Sequence, residues 1–417
     1  MAMILFLVVL ALVGLPLFAV LGGIGIVASQ QSDLDPMVLI IELYRLASQP
    51  NLMAIPLFTL AGMTMAHGGA AGRLVRLFNA LFGWLPGGIA IVSIISCAFF
   101  TAFTGASGIT IIALGGLLFP LFIKSHYSEN FSLGLLTSAG SLGLLFPPSL
   151  AVLIYGIVSG VSIDQLFLAG MLPGAILLIL LSVYSFFTAR KQHLGRHLFH
   201  PEDILPAIKH SAADILLPIL IISGIFGGFT TVNEAAALTC VYTLLMESRV
   251  YKTINLTQDL ATIFIDTSKL VGSILIILAT AMGLTNLLID AQIPTRLVHF
   301  FDGMIHTQLE FLLLLNLLLL LVGAMMDIFS AIIVVAPLVI PLARQYGIDP
   351  VHLGIVFLAN LEIGYLTPPV GINLFIASQR FQQPILRLFR TTLPFLAIML
   401  LWLLLITYVP SLSLWWR

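Results

Sequence analysis

The chain has 417 residues, of which 60% are hydrophobic and 8% are charged, and its formal net charge is −1. Soluble domains contain roughly 45–50% apolar and about 25% charged residues, so the composition excludes a soluble globular protein and indicates a polytopic membrane protein. No basic stripe with interleaved aromatic residues is present, which argues against nucleic acid as a partner. The lipid bilayer is therefore the first partner that we expect.

The first segments indicate one span and one interfacial stretch. The apolar run from Met1 to Val27 is too long for a cleaved signal peptide and lacks a basic start, so we expect a retained membrane span. The stretch from Pro36 to Gln49 is short and amphipathic and carries Glu42 and Arg45. It is predicted to lie at the membrane interface.

The apolar run from Pro86 to Ile123 is roughly twice the ~20 residues that one crossing needs. Small and hydroxyl residues interrupt it between Thr101 and Gly108. We expect a helical hairpin that enters the membrane and turns back at this interruption, with hydroxyls and free backbone amides at its tip. The alternative is close packing of two helices through small residues.

A broken helix is predicted from Phe131 to Ser159. Pro147 and Pro148 supply no amide donors and disfavour helix just before them. We therefore expect the carbonyl groups between Gly143 and Phe146 to lose their hydrogen-bond partners. Free carbonyl oxygens are ligands for cations.

The most basic loop begins at Arg190 and divides the chain. Under the positive-inside rule this loop is cytoplasmic. We expect a first half over residues 1–189, a basic loop over residues 190–211 and a second half over residues 212–417.

The second half repeats the plan of the first at a constant distance. Pro341, Gly364 and Pro368-Pro369 each follow their counterparts Pro120, Gly143 and Pro147-Pro148 by 221 positions. The repeat predicts a second hairpin over residues 310–343 and a second broken helix over residues 350–378. Helices interrupted at matching places in two apolar halves indicate a transporter site where the repeats meet, because unpaired backbone at membrane depth needs protein, water or ligand around it.

Two carboxylates fall inside these repeated segments. Asp327 lies opposite Ala106 in the repeat, and Glu362 lies opposite Ser141. An ionised carboxylate at mid-membrane costs at least ~2.5 kcal/mol unless it is paired, so such a residue normally serves an ion or proton path. The alternative is a structural ion pair with Arg296 or Arg344.

Other polar and aromatic residues have simpler explanations. Glu234 most simply caps the first turn of a helix. The arginines near segment ends are expected to extend toward the membrane interface, although contact with a binding protein or with lipid headgroups remains open. These arginines are Arg73, Arg76, Arg296 and Arg344. The tryptophans near the end of the chain are expected to be interface anchors, namely Trp402, Trp415 and Trp416.

The chain resembles the large membrane subunit of the tripartite ATP-independent periplasmic (TRAP) transporters over nearly its whole length. The stretches that carry the resemblance are Leu60 to Met63, Thr101 to Ser107, Gly140 to Tyr155, Val232 to Ala237, Gly347 to His352 and Leu361 to Ser378. One departure lies at the first hairpin tip, where the usual Ser-Gly-Ser is replaced by Thr104-Gly105-Ala106-Ser107.

The resemblance implies a fold and a function. The fold is an all-α polytopic membrane protein with two inverted repeats, similar to the divalent-anion/sodium symporters. The function is sodium-coupled, elevator-type import of an organic anion, such as a C4-dicarboxylate or sialic acid, across the bacterial inner membrane. A periplasmic substrate-binding protein and a small four-helix membrane subunit are the implied partners.

Two cation sites and one substrate site follow from the resemblance and from the chemistry of helix ends. One Na⁺ is expected at Thr104, Gly105, Ser107, Ser141 and Phe146. A symmetry-related Na⁺ is expected at Gly323, Asp327, Gly364 and Thr367. The anion is expected between them, near Ser107, Thr110, Ser149, Thr367 and Asn373, because helix N-termini favour carboxylates.

The sequence leaves two alternative functions. A self-sufficient carrier would keep the fold but dispense with the binding protein, and it would use sodium, or protons through Asp327 or Glu362. An intramembrane enzyme is disfavoured because no nucleophile and base occur at a readable spacing. No catalytic residue is therefore predicted.

Overall fold

The computed structural model describes residues 15–31, 37–192, 200–292 and 307–417, together with Arg296 and Ile305. This part of the chain is helical and contains no strand. The predicted first span lies partly outside the described residues, and so does the part of the basic loop at residues 193–199. The rest of the region expected to be a loop, residues 200–211, contains a helix at Pro201–His210.

The helices of the first half contain one hairpin and one broken helix. They are α1 Leu17–Gln31, α2 Met37–Ala47, α3 Ala54–His67, α4 Ala70–Phe82, α5 Gly88–Thr104, α6 Ser107–Lys124, α7 Glu129–Ala139, α8 Leu150–Ser159 and α9 Ile163–Lys191. Hairpin 1 consists of α5 and α6 and turns at Gly105, whose φ of 65° suits glycine because a Cβ would be strained there. Broken helix 1 consists of α7 and α8. The apolar segments containing α3 and α4 are bent by 73° relative to each other.

The second half has the same order of elements. Its helices are α10 Pro201–His210, α11 Ala212–Phe226, α12 Val232–Leu245, α13 Leu260–Asp290, α14 Gln308–Met325, α15 Ile328–Gln345, α16 Pro350–Gly364, α17 Ile372–Phe381 and α18 Ile385–Tyr408. Hairpin 2 consists of α14 and α15, and broken helix 2 consists of α16 and α17. Helix α15 begins 221 positions after α6 begins and ends 221 positions after α6 ends, so the sequence repeat is also a structural repeat.

Several helices are suited to a bilayer. Six of the described helices are long and apolar enough to cross a membrane, and there are up to eight spans if each of two bent helix pairs counts as one. The six include α6, α14 and α15, which are arms of the two hairpins. The short stretch expected after the first span contains helix α2.

The two repeats interlock through their hairpins. The second arm of hairpin 1, α6, packs against α17 of broken helix 2, and the second arm of hairpin 2, α15, packs against α8 of broken helix 1. The first contact is close, because a Cβ on Gly108 would lie 2.5 Å from Cδ1 of Ile376. Farther along the same interface, the rings of Phe119 and Phe381 have centroids 5.3 Å apart. Each hairpin therefore depends on the opposite half of the chain for its position.

Arg73 departs from the sequence prediction. It does not extend toward the interface but lies buried between two carboxylates, those of Asp214 and Glu247. Its Nε and Nη2 donate to Asp214 at 2.6 and 2.8 Å, Nη1 donates to Glu247 at 3.2 Å, and the guanidinium lies 3.7 Å from the centre of the Tyr251 ring. This network fixes the beginning of α4 to α11 and to the turn that follows α12.

Trp402 also departs from its predicted role, whereas Glu234 does not. Trp402 is fully buried in α18, and its Nε1 donates to the carbonyl of Pro173 at 2.9 Å, so it is a core residue and not an interface anchor. Trp415 is 47% exposed. The capping role of Glu234 is confirmed, because its carboxylate accepts from the Thr231 amide at 2.8 Å. This hydrogen bond lowers the pKa of Glu234.

Candidate cation and substrate site

The tip of hairpin 1 presents the start of a helix. Helix α6 begins at Ser107, and the preceding residue, Ala106, provides no side-chain cap. The first amides of a helix have no partner inside it and carry partial positive charge. The N-terminus of α6 can therefore hold an anion.

Broken helix 1 lies against this tip. A Cβ on Gly140 would lie 3.3 Å from the carbonyl oxygen of Ser107, and a Cβ on Gly105 would lie 2.5 Å from Cδ1 of Leu150. Thr101 Oγ1 lies 2.7 Å from Thr110 Oγ1 and donates to the Gly140 carbonyl at 2.8 Å. These contacts bring the predicted residues of the tip beside the chain neighbours of Ser141 and Ser149.

The carbonyl groups of broken helix 1 are better satisfied than expected. The amide of Phe146 donates to the Gly143 carbonyl at 3.1 Å, and the amide of Ser149 donates to the Phe146 carbonyl at 3.0 Å. The prediction that these two carbonyls lack partners is wrong, because the chain between α7 and α8 forms consecutive turns. A carbonyl oxygen has two lone pairs, so the Phe146 oxygen keeps one for a further ligand.

Asp327 caps a helix at the tip of hairpin 2. Its Oδ1 accepts from the amides of Phe329 and Ser330 at 3.0 Å each, and its Oδ2 accepts from the hydroxyl of Ser330. An ion pair with Arg296 or Arg344, the structural alternative, is not found among the described residues. The N-terminus of α15 stabilises the charge of Asp327 instead.

Hairpin 2 and broken helix 2 meet at two glycines. A Cβ on Gly364 would lie 2.5 Å from the carbonyl carbon of Gly323, so the two backbones are in direct contact. Thr367 donates to the Gly364 carbonyl through its hydroxyl at 2.9 Å and through its amide at 3.0 Å. The structure thus brings Gly323, Gly364 and Thr367 together.

The rest of this junction ties the second tip to broken helix 2. The amide of Ile328 donates to the hydroxyl of Tyr365 at 2.5 Å, which joins the residue after Asp327 to the break. The amides of Val370 and Gly371 donate to the Ala324 carbonyl at 3.0 and 3.1 Å. Asp327 is therefore linked to broken helix 2 through its chain neighbour Ile328 and Tyr365.

Buried polar atoms without a hydrogen-bond partner gather at both breaks. A buried hydroxyl or amide left without a partner costs about 1–3 kcal/mol, so such atoms mark places where a ligand or water belongs. Among the described residues near the breaks they are Thr104 Oγ1, Ser138 Oγ, Ser141 Oγ, Ser149 Oγ, Asn360 Oδ1, both carboxyl oxygens of Glu362, and Nδ2 and Oδ1 of Asn373. Four of these residues, Thr104, Ser141, Ser149 and Asn373, belong to the predicted sites.

The remaining predicted residues are placed differently. Ser107 is buried at the first position of α6, and Thr110 is buried with its hydroxyl bound to Thr101. The ring of Phe146 packs on Gly174, where a Cβ would lie 2.7 Å from it, so only its backbone is available. Sequence reasoning missed Ser138 and Asn360, although both lie in the two interrupted segments.

The fold and this site define a class. Two repeats, each with a hairpin and a broken helix, surround unsatisfied polar groups inside a polytopic membrane protein, which is the organisation of a secondary transporter. Residues 2–412 match the family described as "Tripartite ATP-independent periplasmic transporter, DctM component". The chain belongs to this family and is a multi-pass protein of the bacterial inner membrane. The resemblance seen in the sequence is confirmed.

Individual relatives cover most of the chain. The C4-dicarboxylate TRAP transporter large permease protein DctM of Vibrio cholerae is 34% identical over 88% of this chain and 86% of its own length. The sialic acid TRAP transporter large permease protein SiaM of the same organism is 33% identical over 87% of this chain and 85% of its own length. The isethionate TRAP transporter permease protein DctMQ of Oleidesulfovibrio alaskensis is 35% identical over 86% of this chain but only 57% of its own length.

A solved structure shares the fold. The crystal structure of the YdaH transporter of Alcanivorax borkumensis superposes with a TM-score of 0.66, covering 90% of this chain and 87% of that chain at 15% sequence identity. At this identity the likeness concerns the fold alone. It confirms the predicted all-α polytopic class.

Proposed function

We propose that this chain imports an organic anion together with sodium ions, through an elevator-like movement of the two hairpins and the two broken helices. The single observation that carries the proposal is the coincidence of partnerless buried polar atoms with predicted site residues at both breaks. The names of the relatives agree with the substrate class, since C4-dicarboxylates, sialic acid and isethionate are all organic anions.

The anion would bind between the helix N-termini. Helices α6 and α8 begin in the first repeat, α15 and α17 begin in the second, and the crossed packing of the hairpins brings these elements together in pairs. The partnerless hydroxyl of Ser149 and the partnerless amide of Asn373 would supply hydrogen bonds to a carboxylate. Because Asn373 offers both a donor and an acceptor, it can also bind a hydroxyl group of the substrate.

The first sodium ion would bind to neutral oxygen atoms, and the second would also use the carboxylate of Asp327. The partnerless hydroxyls of Thr104 and Ser141 fit a hard cation at the first tip. At the second tip both lone pairs of the Gly364 carbonyl accept from Thr367, so a cation there would replace the hydroxyl bond of Thr367. Sodium ions and the anion would neutralise one another, so each would bind well only with the other, and this is the basis of coupling.

The membrane potential and the partner proteins would complete the cycle. If more sodium charge than substrate charge enters, the potential adds ~2.3 kcal/mol per net charge per 100 mV. A periplasmic binding protein would deliver the anion, and a small four-helix membrane subunit would pack beside this chain. The relative named DctMQ extends well beyond the region shared with this chain, which leaves room for a fused second subunit.

The test is uptake of labelled C4-dicarboxylate and of labelled sialic acid into proteoliposomes that contain this chain and its small subunit. Each assay is run with and without an inward sodium gradient and with and without the binding protein. We expect uptake to require both. Uptake without sodium would refute the coupling, and uptake without the binding protein would favour the self-sufficient carrier.

Two variants of Asp327 distinguish the role of its charge from its role as the N-cap of α15. Asp327→Asn removes the charge but keeps an acceptor for the amides of α15, whereas Asp327→Ala removes both. We expect both variants to lose sodium-driven uptake and only Asp327→Ala to lose about 1 kcal/mol of stability as well. Normal sodium-driven uptake by Asp327→Asn would exclude the carboxylate as a sodium ligand.

A further inference from the structure

A groove lies between α4 and the two arms of hairpin 1. Helix α4 packs against both α5 and α6, and the space left between them has a volume of about 670 Å³, which is within the range of sites for small molecules. On α6 the lining begins at Leu117 and reaches Lys124, the last residue of the helix, so the groove runs for about 10 Å along α6.

The lining combines an aliphatic wall with cationic side chains. On α6, Leu117 and Leu121 come before Lys124 and His126, and α4 adds Arg76. The rest of the aliphatic wall consists of Val75, Ile89, Val92 and Leu118. No carboxylate is present among the described residues that line the groove. The groove is therefore apolar along its length and positively charged where α6 ends.

The charges of Arg76 and Lys124 are not compensated by an ion pair. Both side chains are exposed, and neither pairs with a carboxylate in the part of the chain that the structure describes. The guanidinium of Arg76 donates from Nη2 to Nε2 of His210 at 3.1 Å. This acceptor is a neutral nitrogen, so the hydrogen bond positions Arg76 without cancelling its charge.

The nearby carboxylates face elsewhere. Asp203 of α10 lines a separate cavity between α4 and α10. Its neighbour Glu202 pairs with His200 at 3.3 Å. Glu129, at the beginning of α7, pairs with Arg387 of α18 at 3.1 Å. The groove therefore keeps a net positive charge.

The charged end of the groove lies at the cytoplasmic surface. A Cβ on Gly87, just before α5, would lie 3.0 Å from the carbonyl oxygen of Ser185, and the amide of Ser128 donates to Gln192 at 3.4 Å. The open end of hairpin 1 is thus beside the end of α9, where the basic loop begins, and the positive-inside rule places that loop in the cytoplasm.

The aliphatic wall lies deeper in the bilayer. Helix α6 is long and apolar enough to cross a membrane, and Leu117 and Leu121 are 41% and 37% exposed on it. The side chain of Lys124 is therefore at the level of lipid headgroups, and the two leucines are at the level of the acyl chains.

We propose that this groove binds an anionic phospholipid of the cytoplasmic leaflet, with its phosphate against Arg76 and Lys124 and an acyl chain along Leu117 and Leu121. Basic pockets beside membrane helices on the cytoplasmic side suit anionic headgroups. A free phosphate ion would use the cations but not the aliphatic wall. A zwitterionic lipid would use the wall but would be attracted less strongly, so an anionic lipid alone uses both.

The test is binding of phosphatidylglycerol to the purified complex after the lipids that accompany it have been removed. Bound lipid is counted by native mass spectrometry in a titration, in parallel with phosphatidylethanolamine of the same acyl chains. We expect phosphatidylglycerol to bind more tightly, and we expect millimolar inorganic phosphate not to displace it. Equal affinity for the two lipids would overturn the proposal, and displacement by phosphate would show a site for a soluble anion instead.

A double variant locates the site. Arg76→Gln with Lys124→Gln should weaken the binding of phosphatidylglycerol about 25-fold, because each cationic residue near an anionic lipid surface contributes about fivefold in affinity. The matched control is Arg249→Gln with Lys209→Gln, which removes two exposed cations outside the groove and should leave the affinity unchanged. No loss in the first double variant, or an equal loss in the control, would overturn the proposal.

A measurement on the natural protein applies if the double variant does not fold. Phosphatidylglycerol that carries a photoreactive group in its acyl chain should label α6 at Leu117 or Leu121, and labelling that leaves α6 unmodified would overturn the proposal. Neither measurement requires transport, so failure of the proposed uptake reaction and failure of this lipid site are separate outcomes.

Discussion

The contact between Gly323 and Gly364 allows a quantitative prediction. In Gly364→Ala the new methyl group would lie 2.5 Å from the carbonyl carbon of Gly323 and 2.9 Å from the amide nitrogen of Ala324, whereas ordinary contacts begin at 3.4 Å. All of the atoms it meets belong to the backbone of hairpin 2, so no side chain can rotate away. Hairpin 2 must move by about 1 Å, a displacement that typically costs ~1–3 kcal/mol through overpacking.

We expect this cost to reduce sodium affinity, because the proposed second sodium site lies at the same contact. A penalty of about 1–3 kcal/mol corresponds to sodium binding that is about 5–150-fold weaker. The measurement is the sodium concentration that gives half-maximal uptake in proteoliposomes, with thermal unfolding recorded alongside. A sodium dependence unchanged from that of the natural protein would refute the placement of an ion at this contact.

Gly272→Ala is the matched control. Gly272 lies in α13, where a Cβ would meet no atom within 4 Å. We expect this variant to transport normally and to gain up to about 1 kcal/mol of stability from helix propensity. A comparable loss of sodium affinity in Gly272→Ala would show that the effect in Gly364→Ala is not local.

Three further predictions concern separate parts of the molecule. Ser149→Ala removes a buried hydroxyl that has no hydrogen-bond partner, so the free energy of unfolding of the substrate-free protein should rise by about 1 kcal/mol. The KM of uptake should rise as well, and an unchanged KM would exclude Ser149 from the substrate site. Arg73→Leu leaves Asp214 and Glu247 buried without a cation and should cost about 3–5 kcal/mol of stability in denaturant unfolding, and a loss below 1 kcal/mol would contradict the network. Burial raises the pKa of Asp349, but hydrogen bonds from Arg417 and from the amides of Val351 and His352 outweigh it and lower that pKa overall. The melting temperature should therefore fall as the pH drops from about 5 to 3, and less so in Asp349→Asn; equal slopes would refute this contribution.

The interrupted elements were predictable because their causes are local. Clusters of glycines, prolines and small hydroxyl residues interrupt these helices, and the repeat at 221 positions placed the same breaks in the second half. The structure therefore has its turns at Gly105, inside the predicted interruption, and at Asp327, inside the predicted second hairpin. The partnerless hydroxyls of Thr104 and Ser141 also lie where the sequence indicated cation ligands.

What the sequence did not reveal depends on contacts between distant residues. Arg73 pairs with Asp214 and Glu247, which lie 141 and 174 positions farther along the chain. The residues near Arg73 in the sequence indicate only a cation close to the end of a helix. Trp402 lies 229 positions from its acceptor Pro173. The hydrogen-bond donors to the Gly143 and Phe146 carbonyls are close in sequence. They belong to consecutive turns, whereas the sequence argument considered only the hydrogen bonds that prolines remove from a helix.

The crossed packing of the hairpins has a consequence for biogenesis. Gly108 of α6 contacts Ile376 of α17, a residue that the ribosome adds 268 positions later. At synthesis rates of about 5–20 residues per second, hairpin 1 must wait in the bilayer for roughly 13–54 seconds before its partner exists. During that interval the glycine-lined face of α6 is open to lipid or to other membrane proteins. A membrane insertase or chaperone that shields this face until α17 arrives would raise the yield of folded protein, and truncation before α17 should leave hairpin 1 accessible to crosslinking.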